Sequence, residues 1–327
     1  MQQRLLGSSG LRVSRLGLGT MTWGRSTDQH EAAAQLTAFL DAGGTLVDTA
    51  ASYADGDAER VLGAVLGQVL GSRRGRADVV LASKAGVSRR TGERTVDVSR
   101  RALLHDLDAS LQRLGTDHLD LWQIHGWSDD VPLAETLSAA ADAVASGRVR
   151  YVGVSNYSAW QTSWAACAFE ALRPGGGLVS TQMEYSLINR DVETEVLPAA
   201  AAFGLGLLPY SPLARGVLTG KYRHGTPADS RAAAGELDSA RHLLPLGRGI
   251  VDAVSRAADG LDLTPAAVAL AWVRDRPGVC SPIVGARTAA QLQESLDVEQ
   301  VELPNEISEV LAEVSDPTSS ARPDGTF

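Results

Sequence analysis

The sequence is poor in several residue types, and each shortage excludes a class of protein. Its 327 residues include two cysteines, Cys167 and Cys280, which form neither a disulfide framework nor a metal-ligand spacing. The net charge is −9 and no sustained basic stripe is present, which argues against nucleic-acid binding as the main role. No apolar run is long and uninterrupted enough for a signal peptide or a membrane span. We therefore expect a cytoplasmic globular protein without a metal, whose partners include neither nucleic acid nor a membrane.

The chain does contain a repeated alternation of short apolar runs and helical stretches. Buried parallel strands are typically short apolar runs, and eight such strand–helix units predict one closed (β/α)₈ TIM barrel over residues 1–327. An open doubly wound sheet is the alternative, but Gly17-Leu18-Gly19 lacks the third glycine of a dinucleotide fingerprint. The predicted strands cover residues 16–20, 45–48, 78–82, 118–124, 149–154, 178–182, 206–210 and 280–284. The helices that follow them cover residues 28–42, 59–70, 97–114, 132–146, 158–171, 192–203 and 288–296.

Several segments depart from the minimal barrel. The turn residues 7–10 between two short apolar runs predict an N-terminal hairpin that caps the bottom of the barrel. Residues 213–243 lack periodicity and predict a long loop after the seventh strand. Additional helices are predicted over residues 246–259, 264–275 and 303–314, the second with Thr264 as its N-cap. Residues 315–327 are expected to form a flexible tail.

Ionisable residues gather where three consecutive strands end. Asp48 closes the second strand and Tyr53 follows it, Lys84 follows the third, and His125 follows the fourth. Each of them alone is more often structural, but a barrel brings all four to one end. A phenol with an ordinary pKa near 10 needs help to give up a proton at neutral pH, and a neighbouring ammonium supplies that help by lowering the pKa.

This set suits the protonation of an oxyanion, since Asp48 can hold a buried Lys84 and His125 can orient a substrate oxygen. No serine-hydrolase elbow and no zinc-protease motif is present, so hydrolysis has little support. A Schiff-base aldolase that uses Lys84 remains open on these residues.

Motifs along nearly the whole chain resemble the aldo-keto reductase superfamily, in particular the branch of bacterial reductases and potassium channel β subunits. They include GLGTMTWG at residues 17–24, DTAASY at 48–53, LDLWQIH at 119–125 and GVSNY at 153–157. The others lie at residues 83–84, 182–186, 209–213, 216–221 and 282–287. The resemblance implies a catalytic tetrad of Asp48, Tyr53, Lys84 and His125.

The resemblance also implies NADPH bound across the end of the barrel without a Rossmann fold. Ser155, Asn156 and Gln182 would hold the carboxamide, and Tyr210 would stack on the nicotinamide. Gly285 and Arg287 would meet the 2′-phosphate, where the planar fork of an arginine suits a phosphate. Gln291 and Glu294 would lie near the adenine, beside Ser295, where the branch often has asparagine. The remaining residues expected to border the cofactor are Gly19, Thr20, Met21, Asp48, Ser211, Pro212, Leu213, Gly216 and Lys221.

The function that follows is the NADPH-dependent reduction of an aldehyde or ketone, with a small-molecule carbonyl compound as partner. The alternative is an NADPH-binding, redox-sensing regulatory subunit with little turnover. We expect a monomer or a weak homo-oligomer, and we expect residues 213–243 to fold over the bound cofactor. The expected substrate-binding residues are Trp23, Tyr53, His125, Trp127 and Tyr185.

Overall fold

Short apolar segments of this chain pair side by side and form a barrel. The structure is a computed structural model that describes residues 1–70, 75–88, 92–223, 225–227, 233 and 245–317. Its strands in chain order are β1 (Gln3–Leu5), β2 (Arg12–Ser14), β3 (Gly17–Gly19), β4 (Leu46–Asp48), β5 (Val80–Ala85), β6 (Val87–Ser88), β7 (Thr95–Val96), β8 (Leu119–Ile124), β9 (Val149–Ser155), β10 (Ser180–Glu184), β11 (Gly206–Tyr210) and β12 (Ile283–Val284).

Eight parallel strands form the barrel sheet in the order β11-β10-β9-β8-β5-β4-β3-β12. Its two ends meet through Leu207, whose N–H donates to the carbonyl of Gly278 at 3.0 Å and whose carbonyl accepts from Cys280 at 2.9 Å. Every barrel strand therefore has a neighbour on both sides. The (β/α)₈ barrel predicted from the alternating pattern is confirmed.

Helices surround the barrel and follow its strands. They are α1 (Gln29–Asp41), α2 (Asp57–Val69), α3 (Arg100–Leu114), α4 (Leu133–Ala145), α5 (Ala159–Leu172), α6 (Val196–Ala202), α7 (Pro245–Leu261), α8 (Pro265–Arg274), α9 (Ala289–Leu296) and α10 (Asn305–Val314). Polar caps set several of their starts. Thr264 accepts from the N–H of Ala267 and precedes Pro265, and Ser158 forms a capping box with Gln161. Among the helices of the described part of the chain, none combines the length and apolarity of a bilayer span.

The N-terminal hairpin closes the bottom of the barrel. Its strands β1 and β2 pair antiparallel, and Leu6 and Val13 join an apolar cluster with barrel residues such as Leu121 and Leu208. Gly7, at a φ of +60°, lies so close to the Gly204 carbonyl that a Cβ would come within 2.3 Å of it. The turn therefore packs tightly against the backbone just before β11. The predicted hairpin is confirmed.

Several boundaries differ from the predictions in a way that matters for function. The third strand was expected to end at Ala82, but β5 continues to Ala85 because Lys84 and Ala85 still pair with Gln123 and Ile124. Ser155, expected just after its strand, is likewise the last residue of β9, while Gln182 and Tyr210 lie in their strands as the predicted ranges have them. These polar side chains belong to the sheet itself. The last strand is shorter than predicted, with two residues, and the isolated bridge between Val279 and Leu207 lies before it.

One element was not predicted, and two predictions fall partly outside the description. A second hairpin, β6 paired with β7, follows β5 directly. Much of the loop expected over residues 213–243 lies outside the described residues, as does the tail from residue 318 onward. The described start of that loop contains a 3₁₀ helix at Ala214–Thr219.

Candidate active site

The centre of the site is an ion pair between neighbouring strands. Asp48 is the last residue of β4, and Lys84 is the fifth residue of β5. Lys84 Nζ donates to Asp48 Oδ2 at 2.5 Å and to the Thr49 carbonyl at 2.8 Å. The two side chains are 1% and 3% exposed. A buried charge needs a close partner of opposite sign, and this pair meets that requirement.

The second oxygen of Asp48 is held by two buried amides. Gln123 Nε2 and Gln182 Nε2 donate to Asp48 Oδ1 at 3.2 Å and 3.0 Å. The carboxylate is therefore fixed on both sides, which orients Lys84 as well. Gln123 was missed at the sequence level, although a glutamine inside the apolar strand LDLWQI is the kind of signal that could have found it.

Tyr53 reaches this pair from the loop after β4. It opens a 3₁₀ helix in which Ala54 and Asp55 have left-handed backbones, with φ of 48° and 53°, and such strain concentrates at functional sites. Lys84 Nζ lies 5.1 Å from the centre of the Tyr53 ring. The rings of Tyr53 and His125 meet edge to face, with centroids 6.1 Å apart. The structure thus brings Asp48, Tyr53, Lys84 and His125 together.

Burial has the largest effect on the pKa of Tyr53. Desolvation raises the pKa of the phenol, while the charge of Lys84 and a hydrogen bond from it act in the opposite direction without cancelling it. Burial alone would lower the pKa of Lys84, but the charges of Asp48 and Tyr53 outweigh it and raise this pKa. The expected influence of Lys84 on the phenol is present, but the net shift is upward. An upward shift keeps the Tyr53 hydroxyl protonated at neutral pH.

A hydrogen-bonded chain positions the next strand ends. Asn156, at a left-handed φ of 59°, donates from Nδ2 to the His125 carbonyl at 3.1 Å and to Ser155 Oγ at 3.0 Å. Tyr210 donates its hydroxyl proton to Asn156 Oδ1 at 2.9 Å. Ser52 Oγ lies 3.5 Å from His125 Nδ1. The loop after β8 is therefore fixed against β9 and β11.

One cavity of about 670 Å³ opens at this end of the barrel. That volume lies in the range of small-molecule sites, ~300–1,000 Å³. Most residues expected to bind the cofactor line it, and Thr20 does not: its side chain is fully buried and donates to the Asp48 carbonyl. Lining residues from the expected set are Gly19, Met21, Asp48, Ser155, Asn156, Gln182, Tyr210, Ser211, Pro212, Leu213, Gly216, Lys221, Gly285, Arg287, Gln291 and Glu294.

The far end of the cavity has the chemistry of a phosphate site. In the segment after β11, Arg215 and Gly216 have left-handed backbones, with φ of 56° and 93°, and a Cβ at Gly216 would lie 2.9 Å from Lys221 Nζ. The segment after the neighbouring strand β12 carries Arg287, whose N–H donates to Gln291 Oε1 at 3.1 Å. The cationic side chains of Arg215, Lys221 and Arg287, together with backbone that a ligand can approach closely, fit the phosphates of a dinucleotide.

Three of the expected substrate-binding aromatics do not line the cavity. Trp23 is fully buried in the core and donates from its indole to Gln35 at 3.1 Å. Tyr185 is also fully buried and donates its hydroxyl proton to Glu193 at 2.5 Å. Trp127 packs against Tyr157 and Trp160, with ring centroids 5.2 Å apart in both cases. A position after a barrel strand did not reveal which way these rings turn, so we assign them no substrate contact.

Other residues line the cavity that sequence reasoning did not find. The unpredicted second hairpin contributes Val87 and Arg94, and the loop after β3 contributes Thr22 and Arg25. Two short pairs on either side of Gly92, VS and TV, in which three of the four residues are β-branched, were the signal for that hairpin. Further lining residues include Ser52, Ala54, Arg215, Thr219, Ala266 and Ser295.

A second buried ion pair supports the strand that carries Lys84. Glu59 was expected to open the helix after β4, but α2 begins at Asp57 and the Glu59 side chain is fully buried. Its carboxylate accepts from Arg113 Nε at 2.7 Å and from Ser83 Oγ at 2.6 Å. Ser83 directly precedes Lys84, so α2, α3 and β5 are joined beside the site.

Comparison with known proteins gives the same picture over the whole chain. Residues 15–316 match the model of the Aldo/keto reductase family. The chain is 36% identical over 325 residues to "Uncharacterized oxidoreductase YrpG" of Bacillus subtilis (strain 168), covering 96% of each protein.

Two further relatives carry different names. "Probable voltage-gated potassium channel subunit beta" of Oryza sativa subsp. japonica is 38% identical over 306 residues, which are 90% of each chain. "L-glyceraldehyde 3-phosphate reductase" of Escherichia coli (strain K12) is 34% identical over 308 residues, which are 90% of this chain and 87% of that protein. This barrel carries the residues described above at its open end, and the family model matches it along nearly its whole length. The chain belongs to the aldo/keto reductase family.

Proposed function

We propose that this protein is an NADPH-dependent oxidoreductase that reduces an aldehyde or ketone to an alcohol, with Tyr53 as the proton donor. The observation that carries the proposal is the contact of Tyr53 with the buried Lys84–Asp48 pair at one cavity. Family membership supports an oxidoreductase that acts on carbonyl compounds. The relatives named as an oxidoreductase and a reductase support it further.

Different residues of the cavity would bind different parts of the cofactor. Ser155, Asn156 and Gln182 offer amide and hydroxyl groups for a carboxamide, and Tyr210 offers a ring face. Lys221 and Arg287 suit the phosphates. The chemistry that a bound nicotinamide supplies here is a hydride for the carbonyl carbon. The protein itself must then supply the proton for the carbonyl oxygen.

Tyr53 performs that step in this proposal. Its hydroxyl donates a hydrogen bond to the carbonyl oxygen and then transfers its proton as negative charge develops there. The charge of Lys84 stabilises the phenolate that remains, which makes the transfer easier. Asp48 keeps Lys84 protonated, since it raises the pKa of that ammonium. His125, beside Tyr53, positions the carbonyl oxygen.

Turnover with purified protein tests the proposal. NADPH and a panel of aromatic aldehydes are mixed with the wild type, with Tyr53→Phe and with Tyr151→Phe, and nicotinamide absorbance is followed. Tyr151 lies on β9 and packs on the bottom cluster, so its variant is a matched loss of a hydroxyl away from the cavity. We expect Tyr53→Phe to lose activity about 10²–10⁴-fold while Tyr151→Phe keeps it. Full activity in Tyr53→Phe would refute the assigned proton donor.

The redox-sensing subunit is the second candidate, and the similarity to the rice protein named as a channel subunit favours it. It predicts tight NADPH binding with little turnover on every aldehyde tested. Calorimetric binding of NADPH alongside the substrate panel separates the two candidates. Binding together with negligible turnover would favour the sensor over the reductase.

A further inference from the structure

The cavity is positively charged in an acidic protein. Among the described residues that line it, cationic side chains outnumber the two carboxylates, Asp48 and Glu294, although the whole chain carries −9. Asp48 is already neutralised by Lys84. A concave site with charge of one sign focuses potential and attracts ligands of the opposite sign. The cationic lining residues are Arg25, Arg94, Arg215, Lys221 and Arg287.

Four of these cations lie on one side of the barrel. Arg215 and Lys221 follow β11, and Arg287 follows β12, which neighbours β11 through the Leu207 closure. Arg25 follows β3, the next strand, and its loop is attached to the Arg287 segment because Thr22 Oγ1 donates to the Ala286 carbonyl at 2.9 Å. These positions coincide with the side on which the proposed function places the phosphates.

Arg94 lies on the other side. It precedes β7 in the hairpin that follows β5, and its guanidinium packs against the loop after β8. A Cβ on Gly126 would come within 2.8 Å of Arg94 Nη2, so the glycine is what lets the guanidinium lie there. Gly126 directly follows His125. Arg94 is thus a cation next to the carbonyl-positioning histidine, apart from the phosphate side.

Nothing within the described part of the chain neutralises this guanidinium. Arg94 forms no hydrogen bond or ion pair with a described residue, whereas several other arginines of the barrel exterior are paired, for example Arg100 with Asp142. The planar fork of an arginine matches the two oxygens of a carboxylate or phosphate. An unpaired fork that faces the cavity beside His125 is therefore suited to the far end of an anionic substrate.

We propose that Arg94 is a specificity-determining residue that selects carbonyl substrates carrying a carboxylate or phosphate group. The inference rests on the proposed function, since it assumes that the carbonyl is held at Tyr53 and His125. The anionic group then lies against the Arg94 guanidinium, and Gly126 keeps that guanidinium in place. Because Arg94 is solvent-exposed, the contribution is moderate and sensitive to salt.

Matched substrates test the inference. We compare kcat/KM for 4-formylbenzoate and for its neutral methyl ester in the wild type, Arg94→Gln, Arg94→Lys and Arg101→Gln. 4-Formylphenyl phosphate serves as a third substrate to separate phosphate from carboxylate recognition. Arg101 is an exposed residue of α3 that does not line the cavity, so its variant removes the same charge elsewhere.

The expected result is a change in ratio. In Arg94→Gln, the ratio of kcat/KM for an anionic substrate to that for the ester falls about fivefold to tenfold, mainly through KM. In Arg94→Lys this ratio falls less, because lysine keeps the charge but lacks the planar fork of arginine. Gly126→Ala lowers the ratio in the same direction by displacing the guanidinium. An unchanged ratio in Arg94→Gln, or an equal fall in Arg101→Gln, would overturn the inference.

Binding decides the inference independently of turnover. Calorimetry measures the Kd of 4-formylbenzoate with protein alone and with NADP⁺ present, for the wild type and Arg94→Gln. A weakening of about fivefold or more supports Arg94 even if no substrate is turned over, a result that would count against the proposed function alone. Equal Kd values, or equal affinity of the wild type for the acid and the ester, would overturn the role of Arg94.

Discussion

Lys84 Nζ and Asp48 Oδ2 lie 2.5 Å apart in a part of the barrel that water hardly reaches. Removal of one partner from such a pair leaves the other charge buried and uncompensated. In this protein the loss would have two effects, since Lys84 also acts on the Tyr53 phenol. We therefore expect stability and catalysis to be coupled at this one contact.

Lys84→Met is expected to destabilise the protein by about 3–5 kcal/mol, because Asp48 then has no cation to accompany it. It is also expected to abolish measurable carbonyl reduction. Urea unfolding of the cofactor-free protein measures the first effect. The double variant Asp48→Asn/Lys84→Met should recover a large part of the lost stability without recovering activity. If the double variant were less stable than Lys84→Met alone, the buried charge would not be the cause.

Tyr53 should ionise above the ordinary tyrosine value of 10.0 in the cofactor-free protein, because burial raises its pKa. Spectroscopic titration of the wild type against Tyr53→Phe isolates this residue. In the proposed mechanism the protonated form is the donor, so activity should not be lost through Tyr53 ionisation below about pH 10. The folded pKa exceeds the unfolded one, so the Tyr53 contribution to stability is retained below about pH 10 and lost as pH rises further. Ionisation near neutral pH would mean that Lys84 outweighs burial.

Arg287→Ala is expected to raise KM for NADPH about tenfold or more, because a charged fork that meets a phosphate is lost. The KM for NADH should change much less, since that cofactor has no 2′-phosphate, and it provides the control within the same variant. Steady-state kinetics with both cofactors measure the difference. A parallel rise for NADPH and NADH would place Arg287 away from the 2′-phosphate.

Glu59→Gln should lower the free energy of unfolding by about 3 kcal/mol, because Arg113 would lose its carboxylate partner. Ser83 would keep a hydrogen-bond acceptor, so the effect on kcat should be smaller than the effect on stability. Urea unfolding and steady-state kinetics on the same sample check this. Glu135→Gln, at an exposed position of α4, is the matched control. A variant as stable as the control would show that the pair contributes little.

The sequence predicted the barrel because eight apolar runs and their helices follow a period that few folds share. It also indicated Asp48, Tyr53, Lys84 and His125 as a group, since four ionisable residues at three consecutive strand ends are unusual although each alone is not. Two kinds of information were not local. One is the direction of a side chain: Trp23 and Tyr185 point into the core. The other is contact between residues distant in sequence, such as that between Gln123 and Asp48. The net pKa of Tyr53 depended on burial, which composition does not give.

The N-terminal hairpin has a consequence for how the protein is made. Arg4 of β1 donates to the carbonyls of Arg274 and Val279, which lie 270 and 275 positions later. Arg4 thus finds these partners only after the segment between α8 and β12 has been synthesised. Contacts of such long sequence separation form slowly. A chain truncated before Arg274 would therefore keep the early contacts of the hairpin, such as Ser8 with Gly204, but would lack both carbonyl acceptors of Arg4.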